Sequence, residues 1–173
     1  DLPSALGGAQ FVVLAVPSHG LRHVLRQGAA HVDRAAVVLS ATKGLEDGSL
    51  LRMSQVIRDE WTQVDEVAVL SGPSFALEVG RGQPTALVAA SESAELAATV
   101  VEALHGDGLR VYSSSDVVGV EVGGAVKNVL AIATGMLDGM AAQGAAGAPG
   151  LNARAALITR GLAEMTRLGM ALG

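Results

Sequence analysis

At 173 residues the chain is long enough for one buried core, or slightly more than one domain. Residues classed as hydrophobic make up 50%, yet only Phe11, Trp61, Phe75 and Tyr112 are aromatic, so Ala, Val, Leu and Gly carry the packing, as in helices layered on a parallel sheet. A net charge of −5 argues against a nucleic-acid or anionic-membrane surface, and the lack of cysteine excludes disulfides, Cys-ligated zinc and a thiol nucleophile.

The chain opens at Asp1 without Met, and nothing at its start resembles a signal peptide. No apolar stretch free of turn-formers reaches the roughly 18–20 residues of a membrane span. Residues 10–16 (QFVVLAV) are a continuous apolar run ended by Pro17, which predicts a buried parallel strand, and residues 19–27 predict a short helix. A second strand is expected over 35–42 (AAVVLSAT), stopped by Lys43-Gly44, followed by helical spacing over 50–61 with Leu51, Val56 and Ile57 on one side. Residues 66–70 (EVAVL) predict a third strand, after which Ser71-Gly72-Pro73-Ser74 leads into a short helix beginning near Phe75. A fourth strand is expected over 85–90, a helix over 91–105 with Glu92 and Glu95 where its dipole favours anions, and a short fifth strand over 109–112.

The pattern then changes. One long helix is expected over 116–140, capped by Ser115 or Asp116, then a Gly/Ala/Pro loop over 141–151 and a second long helix over 152–172. The alternation predicts an α/β fold, a partial Rossmann-type parallel sheet over 1–114, followed over 115–173 by the start of an all-helical substrate domain. Both chain ends read as internal to a longer protein.

In open α/β sheets, ligands bind beyond the carboxyl ends of the strands. Three strands here end in VPSHG (16–20), ATKG (41–44) and SGPSFA (71–76), which parallel pairing would place along one rim. In the third, Pro73 suits a first helical turn, and the free N–H groups around Ser74–Ala76 would face an anion. The chain has ten arginines but only two lysines, Lys43 and Lys127. Unlike Arg, Lys can exchange its proton near neutral pH when desolvated, so both are candidates for a place where guanidinium will not serve.

Lys127 is the only charge between Glu121 and Asp138. On a helix it shares a face with Val120, Gly123 and Gly124 on one side and Leu130, Ala131 and Thr134 on the other, and the small residues leave a shallow groove for a small molecule. Desolvation there would lower its proton affinity and suit it to general acid–base work. The plainer reading is a lysine that snorkels or pairs with a carboxylate, on glycines that serve close helix packing. His19 and His23 have the spacing of a metal pair but no third ligand, so no metal site is expected. The chain has no G-x-x-x-x-G-K-[ST], G-x-S-x-G, H-E-x-x-H or G-x-G-x-x-G.

VVLAVPSH (12–19), ATKGLE (41–46), LSGPSFALEVGRGQPTALVAAS (70–91), VYSSSDVVGVEVGGAVKNVLAIATGMLDG (111–139) and NARAALITRGLAEMTRLG (152–169) together resemble the NAD(P)-dependent glycerol-3-phosphate dehydrogenases of bacteria. The resemblance covers nearly the whole chain and is most specific in SGPSFA and GGAVKN. It implies a cytoplasmic oxidoreductase that interconverts sn-glycerol 3-phosphate and dihydroxyacetone phosphate with NAD(P), for glycerophospholipid synthesis. Lys127 matches the lysine that exchanges the proton of the substrate hydroxyl, and Asn128 belongs to the same motif and orients substrate. Lys43 matches a lysine that touches both cofactor and substrate, Gly72 and Ser74 match substrate contacts, and Ala76 matches a cofactor contact.

The family's opening strand with its G-x-G-x-x-G turn, and its later aspartate and S-R-N motif, have no counterpart here, and the stretch from Asp138 to Asn152 is longer than the family's. The chain is therefore expected to be an incomplete piece, inactive alone. Two other readings stay open: another dehydrogenase of the 3-hydroxyacid or 6-phosphogluconate group, and a non-catalytic segment whose long helices pair, as in a homodimer.

Overall fold

In the computed structural model, which describes residues 1–144 and 147–173, helices and strands alternate. The order is α1 (Leu2–Leu6), β1 (Phe11–Leu14), α2 (Ser18–Gly28), β2 (Val37–Ser40), α3 (Met53–Glu60), β3 (Val67–Ser71) and α4 (Ala76–Gly80). It continues with β4 (Thr85–Ala90), α5 (Ala94–Leu104), β5 (Leu109–Ser114), α6 (Val117–Ala142) and α7 (Leu151–Leu172). Each strand read from the sequence is present. Helix α1 was not anticipated, although its signals are there: the Asp1 carboxylate accepts from the Ser4 N–H at 3.0 Å, and a proline sits in the first turn.

The strands lie in sequence order, β1 to β5, in one sheet. β1, β2 and β3 are mutually parallel, but β4 runs antiparallel to β3, and β5 is parallel to β4. The α/β class stands, while the expected parallel sheet is mixed at the β3–β4 step. A parallel return needs a crossover that packs along a face of the sheet. Between β3 and β4 there is only α4, which buries no residue, so the chain turns back from the rim where β3 ended.

Side chains on successive strand residues point to opposite faces, and the buried residues divide accordingly. On one face Val12, Leu14, Val38 and Val67 meet Leu21 and Leu25 of α2 and Val56 and Ile57 of α3. Trp61, 1% exposed, closes that layer, with its indole N–H donating to Leu25 O at 2.7 Å. On the other face Leu39, Ala68, Ala89 and Val111 pack under Leu96 and Val100 of α5. Farther along the first face, Val69 and Ala90 receive Val117 of α6.

Helix α6 begins where Asp116 accepts from the Gly119 N–H at 2.7 Å, as expected for its cap. Because β5 runs against β1–β3, α6 starts at the rim opposite their carboxyl ends and runs back across the sheet. Ten residues of helix rise about 15 Å, close to the roughly 17 Å of a five-residue strand, so Lys127 arrives beside the carboxyl end of β3. By length and composition α6 is long enough and apolar enough to cross a membrane, which corrects the sequence expectation: its glycines do not interrupt it. Its first turns, however, are docked on protein, with Val117, Glu121 and Val122 buried.

Helix α7 packs back along α6. The α-carbon of Gly161 faces Leu130, Gly169 approaches Gly119, and Gly173 meets Val118. The pair leaves Val129, Ile132, Met136, Leu151 and Met170 exposed. The loop expected over 141–151 narrows to 143–150, of which residues 145 and 146 lie outside the described residues.

Candidate active site

The parallel pairing of β1, β2 and β3 puts their three carboxyl ends on one rim, as the sequence spacing required. Thr42 ties the first two ends together, its hydroxyl donating to Leu14 O at 3.2 Å while the Ala41 N–H donates to the same oxygen at 2.8 Å. The chain after β2 then presents Lys43. Gly44 follows with φ 126°, and a Cβ there would lie 3.0 Å from the Ser18 hydroxyl, so the turn presses against the start of α2.

Lys43 reaches across to the turn after β3. Its ammonium donates to Gly72 O at 2.7 Å and to Ser74 Oγ at 3.2 Å. Although the residue as a whole is exposed, this turns its charge inward. Burial lowers the Lys43 pKa from the ordinary lysine value, and the nearby Lys127 charge lowers it further.

Lys127 enters from α6. Val117, Val120, Gly124 and Lys127 lie on one stripe of that helix, and the stripe that docks α6 on the sheet runs out over the rim. Gly124 is where the helix comes closest: a Cβ there would lie 2.6 Å from Ser71 Oγ. The packing reading and the groove reading of the glycines both apply to Gly124, which serves close packing and also lines the pocket beside the lysine.

Two hollows of about 210 Å³ each meet at this point and share Lys43, Gly124 and Lys127. Ser74, Phe75 and Asn128 also line one of them, and Ser71, Gly72 and Val88 the other. Among the described residues no carboxylate lines either. On a chain of net charge −5 the two lysines make this rim locally positive, which suits a small anion. A larger hollow, about 670 Å³, lies between the start of α6 and the end of α7, but it carries Glu92 and Asp116 and no cation. Chemistry favours the smaller pair.

The structure thus brings Lys43, Gly72, Ser74, Lys127 and Asn128 together. Ala76 stands apart, exposed as the first residue of α4 and outside the lining of both hollows. Three expectations change. Lys127 is exposed, so the desolvation expected of it is found instead at Lys43. Leu130 and Thr134 line neither hollow beside Lys127: Leu130 faces α7, where it lines a separate apolar hollow, and the Thr134 hydroxyl donates back to Leu130 O at 2.8 Å. The helix after Pro73 begins only at Ala76 and is five residues long, so Pro73 is not in its first turn and no anion site rests on it.

One residue with a role here was passed over. Glu121, 6% exposed, accepts from the Ser54 N–H at 2.8 Å, the Ser54 hydroxyl at 2.7 Å and Arg52 Nη1 at 2.7 Å. It satisfies a free N–H in the first turn of α3 and fixes α6 against the sheet domain. Its signal was a lone carboxylate in an apolar helix, which a buried partner must balance. Among the described residues no cluster of His, Asp or Glu is arranged to hold a metal ion.

Two family models match this chain: NAD-dependent glycerol-3-phosphate dehydrogenase N-terminus over residues 1–97 and the corresponding C-terminus over residues 116–173. A glycerol-3-phosphate dehydrogenase [NAD(P)+] of Halorhodospira halophila is 51% identical over 173 residues, covering 100% of this chain and 49% of that protein. The protein of the same name from Methylibium petroleiphilum is 55% identical over 177 residues, covering 100% and 50%. The crystal structure of glycerol-3-phosphate dehydrogenase (gpsA) from Coxiella burnetii superposes with a TM-score of 0.86 at 42% identity, covering 100% of this chain and 50% of that one. The chain spans about half the length of the curated relatives it matches.

Proposed function

Because the chain belongs to the NAD-dependent glycerol-3-phosphate dehydrogenase family, we propose that its carboxyl rim serves the interconversion of sn-glycerol 3-phosphate and dihydroxyacetone phosphate with NAD(P). The observation that carries this reading is the convergence of Lys43 and Lys127, the chain's two lysines, on one pocket without a carboxylate. A phosphorylated triose is small and anionic, and two ammoniums beside small residues suit both properties.

The rim also offers part of a seat for the cofactor. Gly44, Gly124 and Ala125 leave room beside Lys43, and Phe75 offers an exposed flat ring at the same edge. Lys43 and Ala76 are the residues that hold it in this reading. When bound, the nicotinamide exchanges a hydride with C2 of the substrate. The chain's own part is the proton. In oxidation Lys127 takes it from the C2 hydroxyl, and in reduction its ammonium returns it to the ketone oxygen. Asn128, one residue on, orients the substrate. Lys43 is steered by Gly72 O and Ser74 Oγ, and its lowered proton affinity is offset when a phosphate dianion binds beside it.

The same proposal divides the chain at 114/115, between the end of β5 and the cap of α6, into a cofactor-binding portion and the start of a substrate domain. It also places the reaction in the cytoplasm and its product in glycerophospholipid synthesis.

The test is Lys127→Arg, made in a protein of the relatives' full length that carries this chain, and read by calorimetric titration with dihydroxyacetone phosphate and by ketone-dependent loss of NADH absorbance. Charge is kept, so binding should change only a few-fold, while turnover falls by about 10²–10⁴ because guanidinium does not exchange the proton. A full-length variant that turns over within a few-fold of its parent would sink the assignment, as would a full-length parent that binds neither NADH nor the triose phosphate.

A further inference from the structure

Phe75 is 68% exposed, and α4, which it precedes as N-cap, buries no residue. A ring so exposed adds little to the core, because most of its apolar surface stays in water. Its described partner is a charge: the Lys127 ammonium lies 6.0 Å from the ring centroid, at the limit of useful cation–π range. Phe75 and Lys127 line the same hollow, and Lys43 stands across it.

The geometry has a physical need to meet. Two ammoniums around one small pocket repel each other, and an unrestrained lysine side chain has wide rotamer freedom. Lys43 is tied to Gly72 O and Ser74 Oγ, whereas Lys127, on its exposed helix face, has no hydrogen bond or ion pair among the described residues. The face of an aromatic ring carries negative potential. Placed beneath Lys127, it attracts the ammonium and limits where it points without neutralising it, which a carboxylate would do.

We propose that Phe75 is a positioning residue, whose ring holds the Lys127 ammonium at the mouth of the pocket and apart from Lys43. The proposal rests on the proton-exchange reading of Lys127. It gives the Phe of SGPSFA a task that neither core packing nor turn geometry requires.

The test uses the fact that the chain holds two lysines. Reductive methylation with ¹³C-formaldehyde keeps the charges and leaves two lysine dimethylamine signals plus that of the N-terminus, assigned with Lys43→Arg and Lys127→Arg. In the parent chain, ring current should displace the Lys127 signal upfield of that of Lys43. Phe75→Leu, similar in bulk but without the ring, should remove the displacement. Phe75→Tyr and Phe75→Trp should keep it, the larger indole with the larger displacement.

If Phe75→Leu perturbs both lysines, the Trp variant decides: an enlarged displacement at Lys127 alone supports the proposal, and any other result overturns it. A Lys127 signal with the same shift in the parent and in Phe75→Leu overturns it as well. None of these readouts depends on turnover, so an active chain whose Lys127 ignores Phe75 would refute the positioning role and leave the proposed reaction standing.

Discussion

Gly72 sits at φ 141°, in the left-handed region that side chains rarely adopt. A Cβ there would meet Ala86 O and Leu87 Cδ2, both at 2.9 Å, and Leu87 Cα at 3.2 Å. Two of these are backbone atoms of β4 and cannot move cheaply. The chain therefore needs glycine at this turn for its own folding, before any substrate contact is considered, and the same turn points Gly72 O at the Lys43 ammonium. Gly72→Ala is expected to cost about 1–3 kcal/mol of stability, measured by urea unfolding. It should also release Lys43, raising the titration midpoint of its dimethylamine signal. A variant as stable as the parent would mean that β4 yields more readily than a paired strand should.

Helix α6 is the element that assembles the site, and it does so by being anchored on the sheet at its first turns and running out beyond it. Val117 and Val122 dock it on the sheet, and Glu121 locks it to Arg52 and Ser54 at the start of α3. The Glu121 side chain is 3% exposed and that of Arg52 13%, so breaking this pair strands a charge in a dry place. Glu121→Ala is expected to destabilise the fold by about 3–5 kcal/mol in thermal melts, since Arg52 and the Ser54 N–H lose their partner together. Glu121→Gln keeps the shape and a carbonyl acceptor and should cost less. If both variants melt with the parent, the clamp does not hold α6, and another contact must place Lys127.

Across the whole molecule, one ion-pair network joins elements that the sheet does not. Arg22 of α2 donates to Glu46 through Nε at 2.6 Å and Nη2 at 2.8 Å, and to Glu60 of α3 at 2.5 Å; Arg26 shares Glu60 at 3.1 Å. The Arg22 hydrogen bonds, with help from Ser49, hold the Glu46 carboxyl at a pKa of about 2, and Arg26 and Arg22 hold that of Glu60 below the usual range. A folded-state pKa below the unfolded value means stability that is fully present above the ordinary carboxylate pKa. It is lost as pH falls from about 4.5 towards 2 and the carboxyls take up protons. Urea midpoints should therefore drop through that window, and Arg22→Met should flatten the drop. An equally steep acid profile in the variant would place the sensitivity elsewhere.

Period and punctuation in the chain determined much of this protein by themselves. Apolar runs ended by Pro17, Lys43-Gly44 and Ser71-Gly72 were enough to locate the strands β1–β3, and Asp116 the start of α6, because such signals act through near neighbours. The family motifs were equally legible, and so was the isolation of Lys127. Tertiary structure alone decided the rest. The direction of β4 depends on α4 failing to pack, which no local pattern encodes. The exposure of Lys127 and the desolvation of Lys43 depend on which side of the rim each ammonium faces, and that is set by the angle at which α6 crosses β3. Glu121 finds Arg52 and Ser54 only once α3 and α6 are folded onto the same layer. A sequence states which residues have capacity for chemistry. Which of them lose water, and beside what, is settled by packing between segments far apart in the chain.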